Sequence, residues 1–284
     1  MITIREVKTE RDRRIFSDFP NRLYKDVPQY MPPLSADDRG DWNPKKNPAF
    51  AYCDVKAFLA EKDGKVVGRV GAILNHRANE KWHTNRMRFS QLDFIDDPEV
   101  SDALFKAVED FAREKGCDSV HGPLGFTDLD REGMLVEGFD QKSMFITYYN
   151  YPYYIQHLER LGYAKDVDWV EFLVDVPKDP RLIDRLGKLS ERVLAHNRLH
   201  VAEIKRRRDF KPYVEKVFRL WNTAYAPLYG TTTLDDTQVK RYVKKFLPMI
   251  DPRLACFVMD EQDELAAFGV SAPSIASALK KSNG

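Results

Sequence analysis

The sequence predicts an α/β fold, layered as in α+β proteins, in which a mixed, mostly antiparallel, twisted sheet is flanked by helices. Three observations predict it. Up to residue 177, strands and helices follow the order β-α-ββ-β-α-β-α-β. An amphipathic helix at 98–115 carries an apolar face suited to packing on a sheet. A strand-turn-strand pattern recurs at an offset of about 200 residues, which predicts an internal duplication.

The elements of the first copy follow from local patterns. Asp63-Gly64 joins two apolar runs and predicts a hairpin. The helix at 98–115 is predicted to end at Gly116, a residue that commonly stops helices. The other predicted elements are strands at 1–7, 86–95, 117–125 and 167–176, a helical pattern at 11–26 broken by Pro20, and a helix at 153–161.

The second copy repeats the beginning of the first. "FVMDEQDELAAFGVS" resembles "FLAEKDGKVVGRVGA". A strand and two predicted helices precede it, where the first copy has a strand, one predicted helix and a long loop. Chance similarity of two hairpins is the alternative. The sequence predicts a first domain at 1–177, a linker helix at 178–199, and the first half of a second domain at 200–284. A half-sheet leaves an open edge, so completion by another copy predicts a homodimer.

Composition limits the classes of partner. The chain has 284 residues with 45 basic and 44 acidic side chains, so its net charge is +1 and no global field attracts nucleic acid or an anionic membrane. No stretch approaches the roughly 20 apolar residues of a membrane span. The charged N-terminus lacks the apolar core of a signal peptide. The sequence therefore predicts a cytoplasmic protein with neither nucleic acid nor membrane as partner.

Metal and disulfide sites are not expected. The three cysteines are far apart in the sequence and form no C-x-x-C pair. Asp128, Asp130, Glu132 and Gly133 match positions of a calcium loop, but Phe139 stands where a bidentate glutamate is needed. The alternative interpretation of this long loop is a lid facing the substrate.

Several segments together resemble the GNAT superfamily of CoA-dependent N-acyltransferases, and more closely a bacterial group built of two such domains. The resemblance spans residues 20–275 and rests on these stretches: "DVPQYMPPL", "NPAF", "FLAEKDGKVVGRVGAI", "FIDDPEVSDALFKAVEDFAREKGCDSVHGPLGF", "GMLVEGFD" and "YNYPYYIQHLERLGYAKDVDWVEF". The resemblance implies acetyl-CoA or another acyl-CoA as cofactor and a small amine or amino-acid-like molecule as acceptor.

The turn that holds the CoA pyrophosphate in this superfamily departs from its pattern here. The family pattern Q/R-x-x-G-x-G/A corresponds in position to "IDDPEVSD", which has no glycine and contains Asp96, Asp97, Pro98 and Glu99. Asp97 is predicted to cap the following helix itself, and proline removes one N–H donor. No cofactor is therefore expected at the turn Asp96–Ser101, and the first domain is predicted to be GNAT-like with a degenerate CoA-binding turn.

The helix predicted at 153–161 also departs from the family pattern. Aligned on the "LGY" ending, Leu158 stands where many family members have the tyrosine that protonates the departing thiolate, and Tyr154 stands where they have alanine. Leucine cannot donate a proton, so no catalytic residue is assigned. The candidates for substrate binding are Tyr148, Asn150 and Tyr153, whose tyrosines could instead serve helix–sheet packing. Further candidates are Trp221, Tyr225 and Tyr229, which lie where the resemblance implies the acceptor site.

Two functions remain open from the sequence. The first is a GNAT-like N-acyltransferase, acting in a full gene product that extends beyond residue 284, whose N-terminal domain does not bind CoA in the usual way. The second is a non-catalytic relative that keeps the fold to bind a ligand or partner. The degenerate turn and Leu158 favour the second for residues 1–177 alone, whereas the family resemblance favours the first.

Overall fold

The computed structural model describes residues 1–144 and 146–282. The chain divides into two compact units. Unit 1 contains Met1–Asp168, Tyr229–Thr232 and the described residues from Ser274 onward, and unit 2 contains Trp169–Leu228 and Thr233–Pro273.

The helices and strands follow in chain order. They are β1 (Ile2–Glu6), α1 (Glu10–Leu23), α2 (Ser35–Asp41), β2 (Cys53–Lys62), β3 (Lys65–Asn75), α3 (His76–Trp82), β4 (Arg86–Phe94), α4 (Pro98–Glu114), β5 (Ser119–His121), α5 (Tyr153–Arg160), α6 (Pro180–His196), β6 (His200–Val201), α7 (Val214–Ala224), α8 (Asp236–Phe246), β7 (Ala255–Met259), β8 (Leu265–Val270) and α9 (Ala276–Ser282).

Unit 1 is built on a sheet of order β1-β2-β3-β4-β5, in which only the β4–β5 pair is parallel. The predicted fold class, a mixed and mostly antiparallel sheet flanked by helices, is confirmed. The predicted hairpin is also found: Asp63 and Gly64 both have positive φ, as the tight turn between β2 and β3 requires. A bulge between β3 and β4 places Gln91 at a φ of 45°, an unusual conformation for a residue with a side chain.

The sheet has two differently covered faces. One packs on α4 and α5, with the apolar face of α4 buried as its spacing predicts. The other packs on α1 and the segment that follows it, where Trp42 lies so close to β3 that a Cβ added at Gly71 would be 1.9 Å from its ring. Glycine is therefore required at position 71, and any side chain there would displace the indole.

Unit 2 contains a sheet of order β6-β7-β8 with two antiparallel pairs. Its order β6-α7-α8-β7-β8 repeats the order β1-α1-α2-β2-β3 of unit 1, as the predicted duplication requires. The strand predicted at 167–176 is not formed. Its apolar side chains are exposed, with Leu173 at 94%, and no strand in the described part of the chain pairs with it. The sequence also left α2 and α3 unpredicted.

None of the helices formed by the described residues has the length and apolar character needed to cross a membrane.

Candidate functional site

The turn between β4 and α4 is closed by its own side chains. Asp97 is the N-cap of α4, accepts a hydrogen bond from the Glu99 N–H at 3.0 Å and pairs with Lys62 Nζ at 2.7 Å. The N–H groups of residues 100 and 101 donate to the Asp97 carbonyl. Pro98 has no N–H. The hydrogen bond from Lys62 is the main cause that holds the pKa of Asp97 below its ordinary value. The donors that an anion would need are thus occupied.

Asp96, an exposed residue of the turn, joins a chain of hydrogen bonds that continues to the buried residues His157 and Ser101. His157 Nε2 lies 2.9 Å from Asp96 Oδ1, and its Nδ1 lies 2.8 Å from Ser101 Oγ. Hydrolases use such an Asp-His-Ser order for nucleophilic attack. Here Ser101 is 0% exposed, and its hydroxyl also contacts the Pro98 carbonyl and Arg160. A substrate cannot reach this serine, so these hydrogen bonds serve to tie α5 to the turn.

Tyrosine hydroxyls cap the outer edge of β4 beyond its pairing with β5. The Phe94 N–H donates to the Tyr154 hydroxyl at 2.8 Å, and the Phe94 carbonyl accepts a hydrogen bond from Tyr153. The Tyr154 hydroxyl lies 2.8 Å from that of Tyr24, and the Tyr154 side chain is 1% exposed. Extended ligands add to a sheet edge through free backbone groups. At Phe94 these groups are already bonded.

The face of the sheet that packs on α1 carries a buried ion network. Arg69 of β3 is 1% exposed and donates to Asp93 at 2.7 Å and to the Phe16 carbonyl at 2.8 Å. Asp38 lies 3.6 Å from Arg69 and pairs with Arg131 of the loop after β5. Burial raises the pKa of Asp93, and the Arg69 charge opposes that effect. Charges are seldom fully buried unless they are paired, so this network deserves a functional test.

A second buried arginine on this face has no direct ion pair among the described residues. Arg88 of β4 is 2% exposed and donates to the carbonyls of Gly125 and Gly230, each at 2.9 Å. Burial lowers the pKa of Arg88, and the charge of Glu132 is the strongest opposing influence. Within the described residues, Glu132 Oε1 is buried and has no hydrogen-bond partner. The charges of Arg88 and Glu132 therefore influence each other, and each opposes the pKa shift that burial causes in the other.

Two further groups near Arg88 have displaced pKa values. Burial raises the pKa of Glu132 to about 8; Arg88 opposes the rise, while Asp128 and Asp130 add to it. Burial, with the charge of Arg88, lowers the pKa of His121 to about 4. At pH 7 His121 is therefore neutral, and Glu132 is mostly protonated even with Arg88 acting on it. Glu132, Arg88, Asp128, Asp130 and His121 are called the polar cluster below.

The segment Tyr229–Thr232 contributes to the polar cluster although it is distant in sequence. Its glycine offers the carbonyl that Arg88 binds. Thr231 accepts a hydrogen bond from Lys81 Nζ through its Oγ1 at 2.8 Å, and its carbonyl accepts one from Trp82 Nε1 at 3.0 Å. These bonds fix the segment to α3 and β4 within unit 1.

The predicted substrate-binding residues are divided between the units. Trp221 and Tyr225 lie in unit 2, where their rings stack with centroids 4.2 Å apart. Tyr153 caps the β4 edge as described. Asn150 is 4% exposed, accepts from the Leu135 N–H at 2.7 Å and donates to its carbonyl at 3.1 Å, which gives it a role in holding the loop.

Tyr148 and Tyr229 are the predicted residues that the structure brings beside the buried charges. The Arg131 guanidinium lies 4.7 Å from the Tyr148 ring centroid. Burial raises the pKa of Tyr148 to about 12. The Tyr229 hydroxyl lies 3.0 Å from His121 Nδ1 and donates to Asp166.

Sequence reasoning missed Arg69, Arg88 and Asp93, and it considered Glu132 only as a calcium ligand. A signal was present: "VGRVGAIL" and "MRFSQLDF" are apolar strands interrupted by charged residues. A strand buried on both faces is normally apolar throughout, so a charge inside it indicates a buried partner. The described side chains contain no group of three or more His, Cys, Asp or Glu residues that could hold a metal ion.

Comparison with solved structures gives acetyltransferases of the GNAT class, the class that the sequence resembles. A tandem GNAT protein from the clavulanic acid biosynthesis pathway matches with a TM-score of 0.47 and 14% identity, over 94% of this chain and 73% of that chain. The aminoglycoside acetyltransferase meta-AAC0020, from an uncultured soil metagenomic sample, matches with a TM-score of 0.39 and 14% identity, over 62% of this chain and 97% of that chain.

Two curated proteins are similar in sequence. Protein YghO of Escherichia coli K12 is 31% identical over 205 residues, which are 70% of this chain and 52% of YghO. The bacterial ceramide synthase of Caulobacter vibrioides is 28% identical over 284 residues, which are 98% of this chain and 71% of the synthase. The matched region thus spans about half of YghO and less than three quarters of the synthase. No protein-family model matches the sequence.

Proposed function

We propose that the chain is part of an N-acyltransferase that transfers an acyl group from an acyl thioester to the amino group of a long-chain amino alcohol. The observation that carries the proposal is the similarity to a bacterial ceramide synthase along 98% of the chain. A ceramide is the amide of a fatty acid and a sphingoid amine, so its synthesis requires an N-acyl transfer. This acceptor is a more specific member of the amine class that the sequence resemblance implies.

The reaction places defined demands on the protein. The amine nitrogen attacks the thioester carbonyl carbon, the new C–N bond replaces the C–S bond, and the thiol leaves as the amine loses a proton. An ammonium group cannot attack, so a site that binds the amine must also accept its proton. A carboxyl with a raised pKa is a stronger proton acceptor once it is ionised, and the polar cluster of unit 1 contains such a carboxyl in Glu132.

The CoA part of an acyl-CoA donor is proposed to bind away from the turn Asp96–Ser101. The occupied N–H groups of that turn and the tyrosine-capped edge at Phe94 support this. Asp96, Asp97 and Glu99 would also repel phosphate. Unit 1 would then supply the acceptor side of the reaction, and the donor would bind to other parts of the full-length protein.

A product assay tests the function. The full-length protein that contains this chain is incubated with an acyl-CoA and a long-chain 2-amino-1,3-diol, and both the amide and the free thiol are measured. We expect amide and thiol in equal amounts, and no amide from the matching diol that lacks the amino group. Thiol release without amide would indicate thioester hydrolysis and would contradict the proposal, as would the absence of both.

A non-catalytic ligand-binding protein is the second candidate, favoured by the self-capped turn and by Leu158, which is buried in the core where family members have a proton donor. Amine binding without product would support it. Three sequence predictions also stay predictions: the domain limits at 177 and 199, the homodimer, and the cytoplasmic location. Light scattering would test the homodimer.

A further inference from the structure

Helix α6 of unit 2 carries an apolar stripe that is open to solvent. Each side chain of the stripe exposes between 40% and 55% of its surface, and the stripe consists of Leu182, Ile183, Leu186, Leu189 and Val193. No residue of α6 is buried, whereas α4, which has the same length of 17 residues, buries its apolar face. The stripe on α6 therefore has the pattern of a packing face without the packing.

An amphipathic helix of this kind gains its stability from whatever covers its apolar side. Asp179 caps the start of α6 by accepting a hydrogen bond from the Arg181 N–H at 2.9 Å, and Pro180 occupies the first turn. Helices of this length are marginal in water without a packed face. Contiguous apolar surface that stays exposed is typical of sites that bind a protein or a membrane. The charges beside the stripe indicate which of these fits.

The charges that border the stripe are basic. Arg185 and Arg192 are seven residues apart, close to two helical turns, so they lie on the same side of α6 beside the stripe. Neither has an ion pair among the described residues. The acidic residues of α6, Asp184 and Glu191, lie on the side turned away from the stripe, and Asp184 pairs with Lys188 at 2.7 Å. Two unpaired guanidinium groups thus flank the apolar surface.

The segment before α6 has a different charge pattern. Phe172 and Val176 are exposed there as well, but Glu171 and Asp175 lie between and beside them and would repel an anionic surface. Helix α6, and not this segment, is therefore the element whose charges suit an anionic partner.

We propose that α6 binds the surface of an anionic lipid bilayer, with its apolar stripe among the acyl chains and with Arg185 and Arg192 on the lipid phosphates. A helix with an apolar stripe and flanking basic residues lies in the membrane interface without spanning it. The whole-chain net charge of +1 predicted no membrane partner because it averages out this local arrangement. The inference goes beyond the proposed function and does not depend on it.

Flotation with large unilamellar vesicles tests the inference on the full-length protein that contains this chain. The vesicles are pure phosphatidylcholine or equal parts of phosphatidylcholine and phosphatidylglycerol, and they contain neither amine nor acyl-CoA. We expect binding to the anionic vesicles at about 0.1 M salt. Binding should be at least tenfold weaker to the neutral vesicles, and at least tenfold weaker at about 0.5 M salt, because salt screens the attraction to the phosphates.

Two double variants separate the apolar and the basic contributions. Leu186→Gln with Leu189→Gln removes apolar surface at exposed positions, and we expect at least tenfold weaker binding to anionic vesicles. Arg185→Gln with Arg192→Gln should weaken binding to anionic vesicles to the level of neutral ones. Circular dichroism verifies that each variant keeps the helix content of the wild type.

A matched control removes the same charge elsewhere. Arg11→Gln with Arg14→Gln, at exposed positions of α1, lowers the net charge equally and should leave vesicle binding unchanged. Absence of binding by the full-length protein would overturn the inference and would indicate that another part of that protein covers α6. Binding that the leucine variant leaves unchanged would overturn it too. A dimer that the leucine variant converts to a monomer, without vesicle binding by the wild type, would assign the stripe to a second copy. Amide formation without vesicle binding would leave the proposed function standing and overturn this inference alone.

Discussion

Replacing Asp93 by alanine is expected to lower the free energy of unfolding by about 3–5 kcal/mol, because it leaves Arg69 buried without its carboxylate. Arg69 is 1% exposed, and its 2.7 Å bond to Asp93 is its closest charged contact. Asp38 at 3.6 Å compensates only in part, since it also pairs with Arg131. Urea unfolding followed by circular dichroism measures the change.

An exposed pair provides the control. Arg14 and Asp18 form a 3.6 Å pair on the surface of α1, and Asp18→Ala should cost about 1 kcal/mol or less. Replacing both buried partners, Arg69→Met with Asp93→Leu, should cost less than either single change, because no unpaired charge remains. If Asp93→Ala were no more destabilising than Asp18→Ala, the buried network would not exist as described.

The stability of the wild type is expected to fall as pH rises from about 6.5 to about 8, with Glu132 contributing about 1.4 kcal/mol per pH unit; between about 4.5 and 6.5 the lowered pKa of His121 contributes a slope of opposite sign and offsets it. The ordinary pKa of this carboxyl is 4.5, and the folded protein raises it to about 8. Between these values the folded state binds the proton and the unfolded state does not. The folded state therefore loses stability as pH rises, opposite to the usual behaviour of a salt-bridged carboxylate.

Glu132→Gln should remove this slope and make the protein more stable than the wild type at pH 8 by a few kcal/mol. Urea unfolding at a series of pH values measures it, and Glu137→Gln, at an exposed position of the same loop, should retain the wild-type slope. A Glu132→Gln protein with an unchanged pH slope would contradict the raised pKa. Binding sites commonly trade stability for function in this way.

The local elements could be predicted from the sequence because their signals are local. Asp63-Gly64 specified the β2–β3 hairpin, and the apolar spacing with Gly116 specified α4 almost to its ends. The order of elements then fixed the fold class. The strand predicted at 167–176 was wrong, because an alternating apolar segment forms a strand only when another strand pairs with it. In the described chain no strand does so.

The buried charges could not be predicted because they depend on residues far apart in the chain. Asp38 and Arg131 are separated by 93 positions, and Arg88 and Gly230 by 142. No spacing rule links such residues. The Asp97 cap, in contrast, lies within one turn of helix and was predicted from "DDPE" alone. The capped turn was thus visible in the sequence, whereas the polar cluster required the fold.

The self-capped turn and the polar cluster lead to one account of unit 1. In the turn, the N–H groups of residues 99–101 already donate to Asp97, and the other face of the sheet holds the buried polar cluster. Unit 1 is therefore proposed to serve the acceptor and to leave the CoA phosphates to another part of the full-length protein.

Titration of the isotopically labelled chain with acetyl-CoA, followed by the backbone amide resonances of Glu99, Val100 and Ser101, tests this account most directly. These three N–H groups start α4 and already donate to Asp97. The account predicts that their resonances do not move as acetyl-CoA is added. A saturable shift of all three would show phosphate bound at the turn and would contradict it.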